Sequence, residues 1–180
     1  RAQFQRDQLA ALNRYVDRLQ ADGLAALGAR VPAGALERHV VFNPLGWPRS
    51  DVVDLASNVA PPLRVVDLTT GLDIPSQVMS TGAGTSVVRI RADGVPAVGY
   101  RVFEVRSGTG TQFPNAATVT LPTFDNGTYG VTLGTRGQIT GVIDHKDGNR
   151  QLVDAAGIAA LNDPGNGAGT VTLESNGAVS

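Results

Sequence analysis

The hydrophobic periodicity of the chain changes once, near His39, and this change restricts the folds that the sequence can adopt. Before it, apolar residues recur at three- and four-residue steps, as on one face of an amphipathic helix. These residues are Leu9, Leu12, Val16 and Leu19. The spacing predicts a helix over Asp7 to Asp22 that ends at Gly23, followed by a linker at Pro32 and Gly34. Such a helix cannot bury its apolar face alone, so it needs a partner surface.

After His39, short apolar runs alternate with Gly, Pro, Asn and Asp, which is the pattern of β-strands joined by turns. The predicted strands are Val40 to Phe42, Val52 to Leu55, Arg64 to Leu68, Ser76 to Met79, Ser86 to Arg91 and Gly99 to Val105. The predicted turns are Thr70-Gly71, Thr81-Gly82 and Asp93-Gly94. Six strands in so short a segment predict a compact antiparallel β-sandwich.

A glycine-containing segment, Ser107 to Asn115, is expected to link this sandwich to a second set of strands. Period-2 alternation predicts these further strands. They are Thr118 to Leu121, Thr128 to Leu133, Gln138 to Ile143, Gln151 to Val153 and Thr170 to Glu174, with a tight turn at Asp147-Gly148. A strand this close to Ser180 leaves backbone groups unpaired, so we expect an open edge near Val171 and Leu173 that promotes self-association. We therefore expect the chain to be the middle piece of a larger protein.

The composition of the chain excludes several functional classes. Apolar residues make up 42% and charged residues 17%, which fits a globular domain and neither a disordered chain nor a membrane-spanning one. A formal net charge of −1 offers no basic field for a nucleic-acid partner. The absence of cysteine excludes disulfides, thiolate catalysis and cysteine-based zinc sites. The compartment, cytoplasmic or secreted, is left open.

The histidine and glycine patterns do not predict a metal or phosphate site. His39 and His145 lie more than a hundred residues apart and match no two-histidine metal spacing, so we expect surface or turn-forming roles for both. Gly165, Gly167 and Gly169 alternate, but they lack the Lys and Ser/Thr that follow in a phosphate-binding loop. These glycines are therefore predicted to form a loop.

Carboxylates are numerous, and a glycosidase needs only two that face a sugar, but the sequence does not pair them. The aspartates considered are Asp51, Asp54, Asp67, Asp73, Asp93, Asp125, Asp144, Asp147, Asp154 and Asp163. Most flank predicted turns, where an Asp side chain accepts hydrogen bonds from backbone N–H groups, so a structural role is predicted. Trp47 can stack on a sugar ring or pack over a turn, and packing is favoured. Asn126-Gly127-Thr128 matches a glycosylation acceptor, but Asn-Gly is favoured as a turn.

Four stretches carry a resemblance to a known family. The first runs Val40-Val41-Phe42-Asn43-Pro44-Leu45-Gly46-Trp47-Pro48-Arg49-Ser50-Asp51-Val52-Val53. The second comprises Val66-Asp67, Gly71 and Ile74-Pro75-Ser76-Gln77, and the third is Val95-Pro96-Ala97-Val98-Gly99-Tyr100-Arg101-Val102. The fourth joins Asp125-Asn126-Gly127-Thr128-Tyr129-Gly130-Val131 to Gly137-Gln138-Ile139-Thr140-Gly141-Val142-Ile143-Asp144-His145-Lys146. In this order they resemble the β-rich C-terminal part of glycoside hydrolase family 38, the retaining α-mannosidases, over about residues 39–153.

Three positions depart from that family pattern. Asp125 stands where Glu is usual, Gly130 replaces a common basic residue, and His145 intervenes before Lys146. These differences bear on the subfamily more than on the family.

The resemblance implies a mainly β fold with an N-terminal helix. Residues 1–38 would be the terminal helix of a helical middle domain plus a linker, and residues 39–106 a small antiparallel β-sandwich. Residues 107–116 would be a linker, and residues 117–180 the opening strands of a larger β-sandwich, a supersandwich of the galactose-mutarotase-like type.

The resemblance also implies that the catalytic parts lie elsewhere. In this family an N-terminal α/β domain supplies the zinc site, the nucleophilic Asp and the acid/base Asp, and no position here matches those motifs. We therefore expect no catalytic, cofactor-binding or metal residue in this chain, with zinc only in the catalytic domain of a parent enzyme. The expected partners are the rest of that enzyme and, for the parent, an α-mannoside. A stand-alone carbohydrate-binding module and a purely structural Ig-like sandwich remain open as alternatives.

Overall fold

The computed structural model describes residues 2–82, 84–154, 162, 165 and 167–179. The secondary structure of this part of the chain consists of an N-terminal helix followed by short strands. The helix is α1 (Ala2–Gly28). The strands are β1 (Glu37–Asn43), β2 (Arg49–Ser57), β3 (Leu63–Asp67), β4 (Leu72–Asp73), β5 (Ser76–Gly82), β6 (Thr85–Val95), β7 (Gly99–Ser107), β8 (Thr118–Thr120), β9 (Thr123–Asp125), β10 (Tyr129–Leu133), β11 (Ile139–Asp144) and β12 (Arg150–Asp154).

The strands form antiparallel sheets. The first sheet has the order β1-β7-β3-β4, the second β2-β6-β5, and the third β12-β11-β10-β9-β8. The first two sheets share the hydrophobic core, whereas the third is a meander in which strands adjacent in sequence also pair. The prediction of a mainly β chain with an N-terminal helix is confirmed, and the paired sheets are consistent with a β-sandwich.

The core lies between the first two sheets, because strands of both sheets direct apolar side chains toward each other. It consists of Leu55, Val65, Val88, Ile90, Ala92, Val95, Phe103 and Val105. Strand β6 buries every second residue up to Ala92, as the period of a strand requires. There the register with β2 shifts: Asp51 pairs with Ala92, but Arg49 pairs with Val95. This bulge returns Val95 to the core.

Two of the predicted turns are in fact parts of strands. Asp93-Gly94 is the β6 bulge just described, and Gly94 supplies the positive φ of 61° there. Thr81-Gly82 ends β5, and the positive φ of the following turn belongs to Gly84. The predicted turns at Thr70-Gly71 and Asp147-Gly148 are confirmed.

The helix is longer than predicted. It runs through Gly23, which was expected to end it, and stops at Gly28. A glycine inside a helix costs only about 1 kcal/mol relative to alanine, and the apolar stripe continues beyond it at Leu24 and Leu27. None of the residues of α1, all of which the structure describes, is buried. This helix does not combine the length and hydrophobicity that crossing a membrane requires.

The predicted strand Thr170 to Glu174 is wrong. This segment alternates polar and apolar residues, but it pairs with no strand in the described part of the chain. Its surroundings are held by isolated backbone bonds, from Gly169 N to Thr135 O and from Ala116 N to Gly177 O. The strand edge predicted at Val171 and Leu173 is therefore not formed by the described residues, and the self-association expected there stays a prediction.

Candidate functional site

Three of the four family-like stretches meet at one end of the first two sheets. Strand β1 ends at Asn43, which pairs with Gly99 at the start of β7, and β3 ends at Asp67, which pairs with Phe103. On the second sheet Val95, at the end of β6, pairs with Arg49. The loops beyond these strand ends form one surface, which we call the motif end: residues 43–48, 67–71 and 94–101.

Asn43 organises the first half of the motif end. Its side chain is 4% exposed. The Nδ2 group donates to Trp47 O at 2.8 Å, to Val95 O at 3.2 Å and to Pro96 O at 3.0 Å, while Oδ1 accepts from Leu45 N at 3.1 Å. Asn43 therefore closes its own loop and ties it to the β6–β7 turn.

Asp67 organises the second half of the motif end. It is 3% exposed, and its Oδ1 accepts from Thr69 N at 2.8 Å. Its Oδ2 accepts from Arg101 Nη1 at 2.5 Å, and Arg101 Nε donates to Gly94 O at 3.2 Å. Gly71, with a positive φ of 73°, completes the turn by donating its N–H to Asp67 O. The Asp67 carboxylate thus joins its own turn to Arg101 of β7, and Arg101 extends the link to the β6 bulge at Gly94.

The outer surface of the motif end is apolar and partly aromatic. Trp47 is 61% exposed, so the prediction that it packs over the turn is wrong: only its backbone carbonyl is used, as an acceptor for Asn43. Val98, with a positive φ of 44°, is 68% exposed and donates its N–H to Leu45 O. An exposed indole of this kind can stack on a sugar ring or pack against a partner protein.

The two histidines lie on different sheets. His39 lies within β1, not before a strand as predicted, and its Nε2 is 2.8 Å from Glu37 Oε1. Partial burial pushes the pKa of Glu37 upward, but hydrogen bonds from Asn58 N, His39 and Ser57 outweigh it, so this pKa lies below its ordinary value. His145 lies in the β11–β12 turn, as expected. Among the described residues, no three His, Cys, Asp or Glu side chains are grouped to hold a metal ion.

The carboxylates considered from the sequence are bonded within the chain wherever the structure describes their side chains. The expected bonds from backbone N–H groups are present at Asp51, Asp67, Asp73, Asp125 and Asp144. Arginine is a further and common partner that the sequence did not predict. The pairs are Asp51–Arg49, Asp54–Arg89, Asp67–Arg101, Asp73–Arg64, Asp93–Arg91 and Asp147–Arg150; Asp125 bonds His145, and Asp144 accepts from Lys146 N. The Asp154 side chain and all of Asp163 lie outside the described residues. The pairs of Asp51 and Asp93 had a signal in the sequence. Each of these aspartates follows an arginine by two positions within a strand, and residues two apart in a strand share a sheet face.

Glu104 was not singled out from the sequence. It is 4% exposed on β7 and accepts from Arg106 and from Arg38 of the neighbouring strand β1. Hydrogen bonds from Arg106 and Arg38 hold the pKa of Glu104 below its ordinary value. The sequence signal for its pair with Arg106 was the same two-residue spacing within a strand, whereas the bond from Arg38 had no local signal. The role this geometry supports is structural.

The segment predicted as a linker is attached to the sandwich. Asp73 Oδ2 accepts from Thr111 N at 2.8 Å and from Thr111 Oγ1 at 3.1 Å, while Arg64 Nη1 donates to Asp73 Oδ1 at 2.9 Å. These bonds, the Thr111 N–H first, hold the pKa of Asp73 below its ordinary value. A Cβ on Gly110 would lie 2.7 Å from Arg64 Cβ and 2.8 Å from Asp73 Oδ2, so only glycine permits this approach.

The glycines predicted to form a loop are described only in part. Gly165 and Gly167 have positive φ values of 99° and 125°, as loop glycines do. Gly169 donates its N–H to Thr135 O. The turn predicted at Asn126-Gly127 is confirmed, since Asn126 Oδ1 accepts from the backbone N–H groups of the two residues after Gly127.

No family model matches the chain, and no curated protein matches it. Among solved structures, the chain is similar to an alpha-mannosidase from Enterococcus faecalis V583, with a TM-score of 0.44 and 14% sequence identity. The likeness covers 63% of this chain and 17% of that chain, so the matched region is a small part of the larger protein. A likeness this distant does not transfer activity or substrate.

Proposed function

We propose that the chain is a non-catalytic β-region of a retaining α-mannosidase similar to glycoside hydrolase family 38, and that it acts as a scaffold beside the catalytic domain. This proposal rests on how the residues of the family-like motifs are bonded and buried. The polar atoms of Asn43, Asp67 and Arg101 bond loops of their own sandwich, and their side chains are largely buried. Such residues fix loop shape and do not reach a substrate.

The scaffold role assigns the chemistry to other parts of the parent enzyme. A retaining glycosidase uses one carboxylate as nucleophile and another as acid/base, about 5 Å apart across the scissile bond. Among the described residues, no three potential ligands are grouped as a zinc site requires, and the one carboxylate of the motif end, Asp67, is bonded to Arg101 and to a turn N–H. The contribution of this chain is to hold the motif end rigid, since a binding cleft needs support from outside its contacting residues.

The isolated chain should not hydrolyse α-mannosides. Purified chain is incubated with a chromogenic aryl α-mannoside and added zinc, and the release of the chromophore is followed. We expect no turnover above the rate in buffer. Turnover that a chelator abolishes would overturn the non-catalytic assignment.

The scaffold role is tested in the parent enzyme, whose gene is expected to encode a zinc-binding catalytic domain upstream of this chain. The Asn43→Ala change should shorten the half-life of activity on heating and leave kcat at room temperature unchanged. Asn58→Ala, on an exposed asparagine of the same sandwich, is the matched control. A loss of kcat without a loss of thermal stability would place the motif end in the active site and contradict the scaffold role.

A stand-alone carbohydrate-binding module is the second candidate, and the exposure of Trp47 favours it. Calorimetric titration of the chain with mannosides separates the two functions. Binding that Trp47→Ala abolishes, and that Tyr129→Ala on the third sheet leaves intact, would support the module. No heat of binding would support the scaffold.

A further inference from the structure

The imidazole of His145 bridges two turns of the third sheet. Its Nε2 lies 2.9 Å from Asp125 Oδ2 at the end of β9, and its Nδ1 lies 2.7 Å from Asn149 Oδ1 at the end of the β11–β12 turn. Its backbone N–H donates to Thr128 O at 2.8 Å. With the Asn149 amide oriented with Oδ1 toward the ring, both ring nitrogens face oxygen acceptors, so both bonds form fully only when each nitrogen carries a hydrogen. That state of the ring is the imidazolium cation.

Asp125 uses both of its carboxylate oxygens. Oδ1 accepts from Gly127 N at 2.7 Å and shapes the β9–β10 turn, while Oδ2 bonds His145. Gly127 has a positive φ of 75°, as the turn requires. The β9–β10 turn and the β11–β12 turn are therefore joined through one carboxylate and one imidazole. We call Asp125, His145 and Asn149 the clasp.

Gly130 gives His145 room to reach Asp125. It is the cross-strand partner of Asp125, and a Cβ on it would lie 3.2 Å from His145 Nε2 and 3.6 Å from Asp125 Oδ2. Glycine leaves that space open, so the imidazole can approach the carboxylate. Asp125, Gly130 and His145 therefore form one structural unit.

We propose that titration of His145 makes the clasp a pH-dependent link between the β9–β10 and β11–β12 turns. The clasp is closed when Asp125 is ionised and His145 is protonated. Loss of the His145 proton removes the charge and one of the two hydrogen-bond donors. The link between the turns then weakens while each turn keeps its own backbone bonds.

The charged surroundings favour the closed clasp over a defined pH range. Hydrogen bonds to Asn149 and Asp125, with the nearby charge of Asp144, hold the pKa of His145 above its ordinary value of 6.5. The Gly127 N–H and then His145 hold the pKa of Asp125 below its ordinary value of 3.8. The other titratable or charged groups on the adjoining segments are Tyr129, Lys146, Asp147 and Arg150, of which Asp147 and Arg150 pair with each other.

The sign of the pH dependence follows from these directions. The raised pKa of His145 contributes stability that is present below its unfolded value and is lost as pH rises through the folded value. The lowered pKa of Asp125 contributes stability that is lost as pH falls through its folded value. The clasp is therefore closed in mildly acidic solution and opens on the alkaline side.

The first test is an NMR titration of the whole chain, in which the two histidines give two resolvable imidazole signals. We expect the signal of His145 to titrate above 6.5 in the wild-type chain and distinctly lower in Asp125→Asn. The imidazole signal of His39, which lies on the first sheet and bonds Glu37, is the internal reference and should be the same in both chains at any one pH. An unchanged His145 titration in Asp125→Asn would overturn the proposal.

The second test is amide hydrogen exchange of the two turns, corrected for the intrinsic effect of pH. The His145 and Thr128 amides should exchange about tenfold faster, relative to intrinsic rates, above the His145 transition than below it. The double variant Gly130→Lys with His145→Gln places a permanent cation opposite Asp125 and should remove this pH dependence, whereas His145→Gln alone should give fast exchange at every pH. Equal behaviour of the single and double variants would overturn the role of charge in the link, and an unchanged wild-type rate across the transition would overturn the clasp itself.

Discussion

At the scale of single residues, the loops of the sandwich are shaped by buried polar side chains that each bond several backbone groups. Asn43 satisfies three carbonyls and one N–H, and Asp67 satisfies a turn N–H and a guanidinium. Buried polar groups are stable only when they are hydrogen-bonded in this way. Among the side chains that the structure describes, no buried side-chain nitrogen or oxygen is left without a partner.

Asn43→Ala should therefore destabilise the sandwich. The change removes the donor to three carbonyls, of which that of Val95 is buried, and leaving a buried acceptor unpaired costs about 1–3 kcal/mol. We expect the free energy of unfolding in urea to fall by about 2 kcal/mol, with the slope on denaturant unchanged. Asn58→Ala, on an exposed side chain, should stay within about 0.5 kcal/mol of wild type. Equal stability of the two variants would contradict this role of Asn43.

Sequence alone identified the residues of the motif end but not what they do there. The resemblance located Asn43, Trp47 and Asp67, yet their bonding partners lie on other strands, beyond the reach of local patterns. Trp47 was misjudged because its neighbours in sequence do not reveal whether another segment covers it. The bond between Asp125 and His145 joins residues twenty positions apart and depends on a three-strand register.

At the scale of elements, most strands could be predicted because their half-buried faces impose period-2 alternation. Strands β4 and β9 were missed, since two or three residues are too few to show a period. Thr170 to Glu174 shows the alternation without forming a strand, because pairing requires a neighbour that the pattern does not specify. The segment after β7 was read as a free linker, and its attachment through Thr111 had no local signal.

Gly110→Ala should test that attachment. The added methyl group would collide with Arg64 and Asp73 and push Thr111 away, at a cost of about 2 kcal/mol in the free energy of unfolding. Gly46→Ala is the matched control, because its Cβ would meet nothing within 4 Å. The pKa of Asp73 should rise toward its ordinary value in Gly110→Ala, as measured by carboxyl NMR.

The difference in unfolding free energy between wild type and Gly110→Ala should also depend on pH. A lowered pKa stabilises the fold above the unfolded value of 3.8 and ceases to do so as pH falls through the folded value. Part of the stability gap between wild type and Gly110→Ala should therefore disappear in acid. A gap that stays constant from neutral pH to strong acid would show that Asp73 does not mediate the attachment.

At the scale of the whole molecule, stability is concentrated in the two-sheet core. Val65, Val88, Ile90 and Val105 are fully buried there, whereas Leu12 and Leu19 of α1 remain more than half exposed. A helix draws most of its stability from packing, so α1 should open far more easily than the sandwich.

Limited trypsin digestion followed by mass spectrometry measures this difference. We expect the first cuts at Arg14 and Arg18 in α1, with Arg89 on the central strand β6 resistant until the sandwich unfolds. Cleavage at Arg89 as early as at Arg14 would contradict the expected order. Amide exchange should follow the same order, with Val88 and Ile90 slowest.

The bond between Asp73 and Thr111 also affects how motion passes along the chain. A segment after β7 without such bonds would act as a hinge and let the third sheet move independently of the first two. In this chain the segment is bonded to the sandwich twice, from Gly108 N to Pro62 O and from Thr111 N to Asp73 Oδ2. Its first turn is therefore held in place. Protonation of Asp73 in acid would weaken its bonds to Thr111 and Arg64 and lengthen the part of this segment that is free to move.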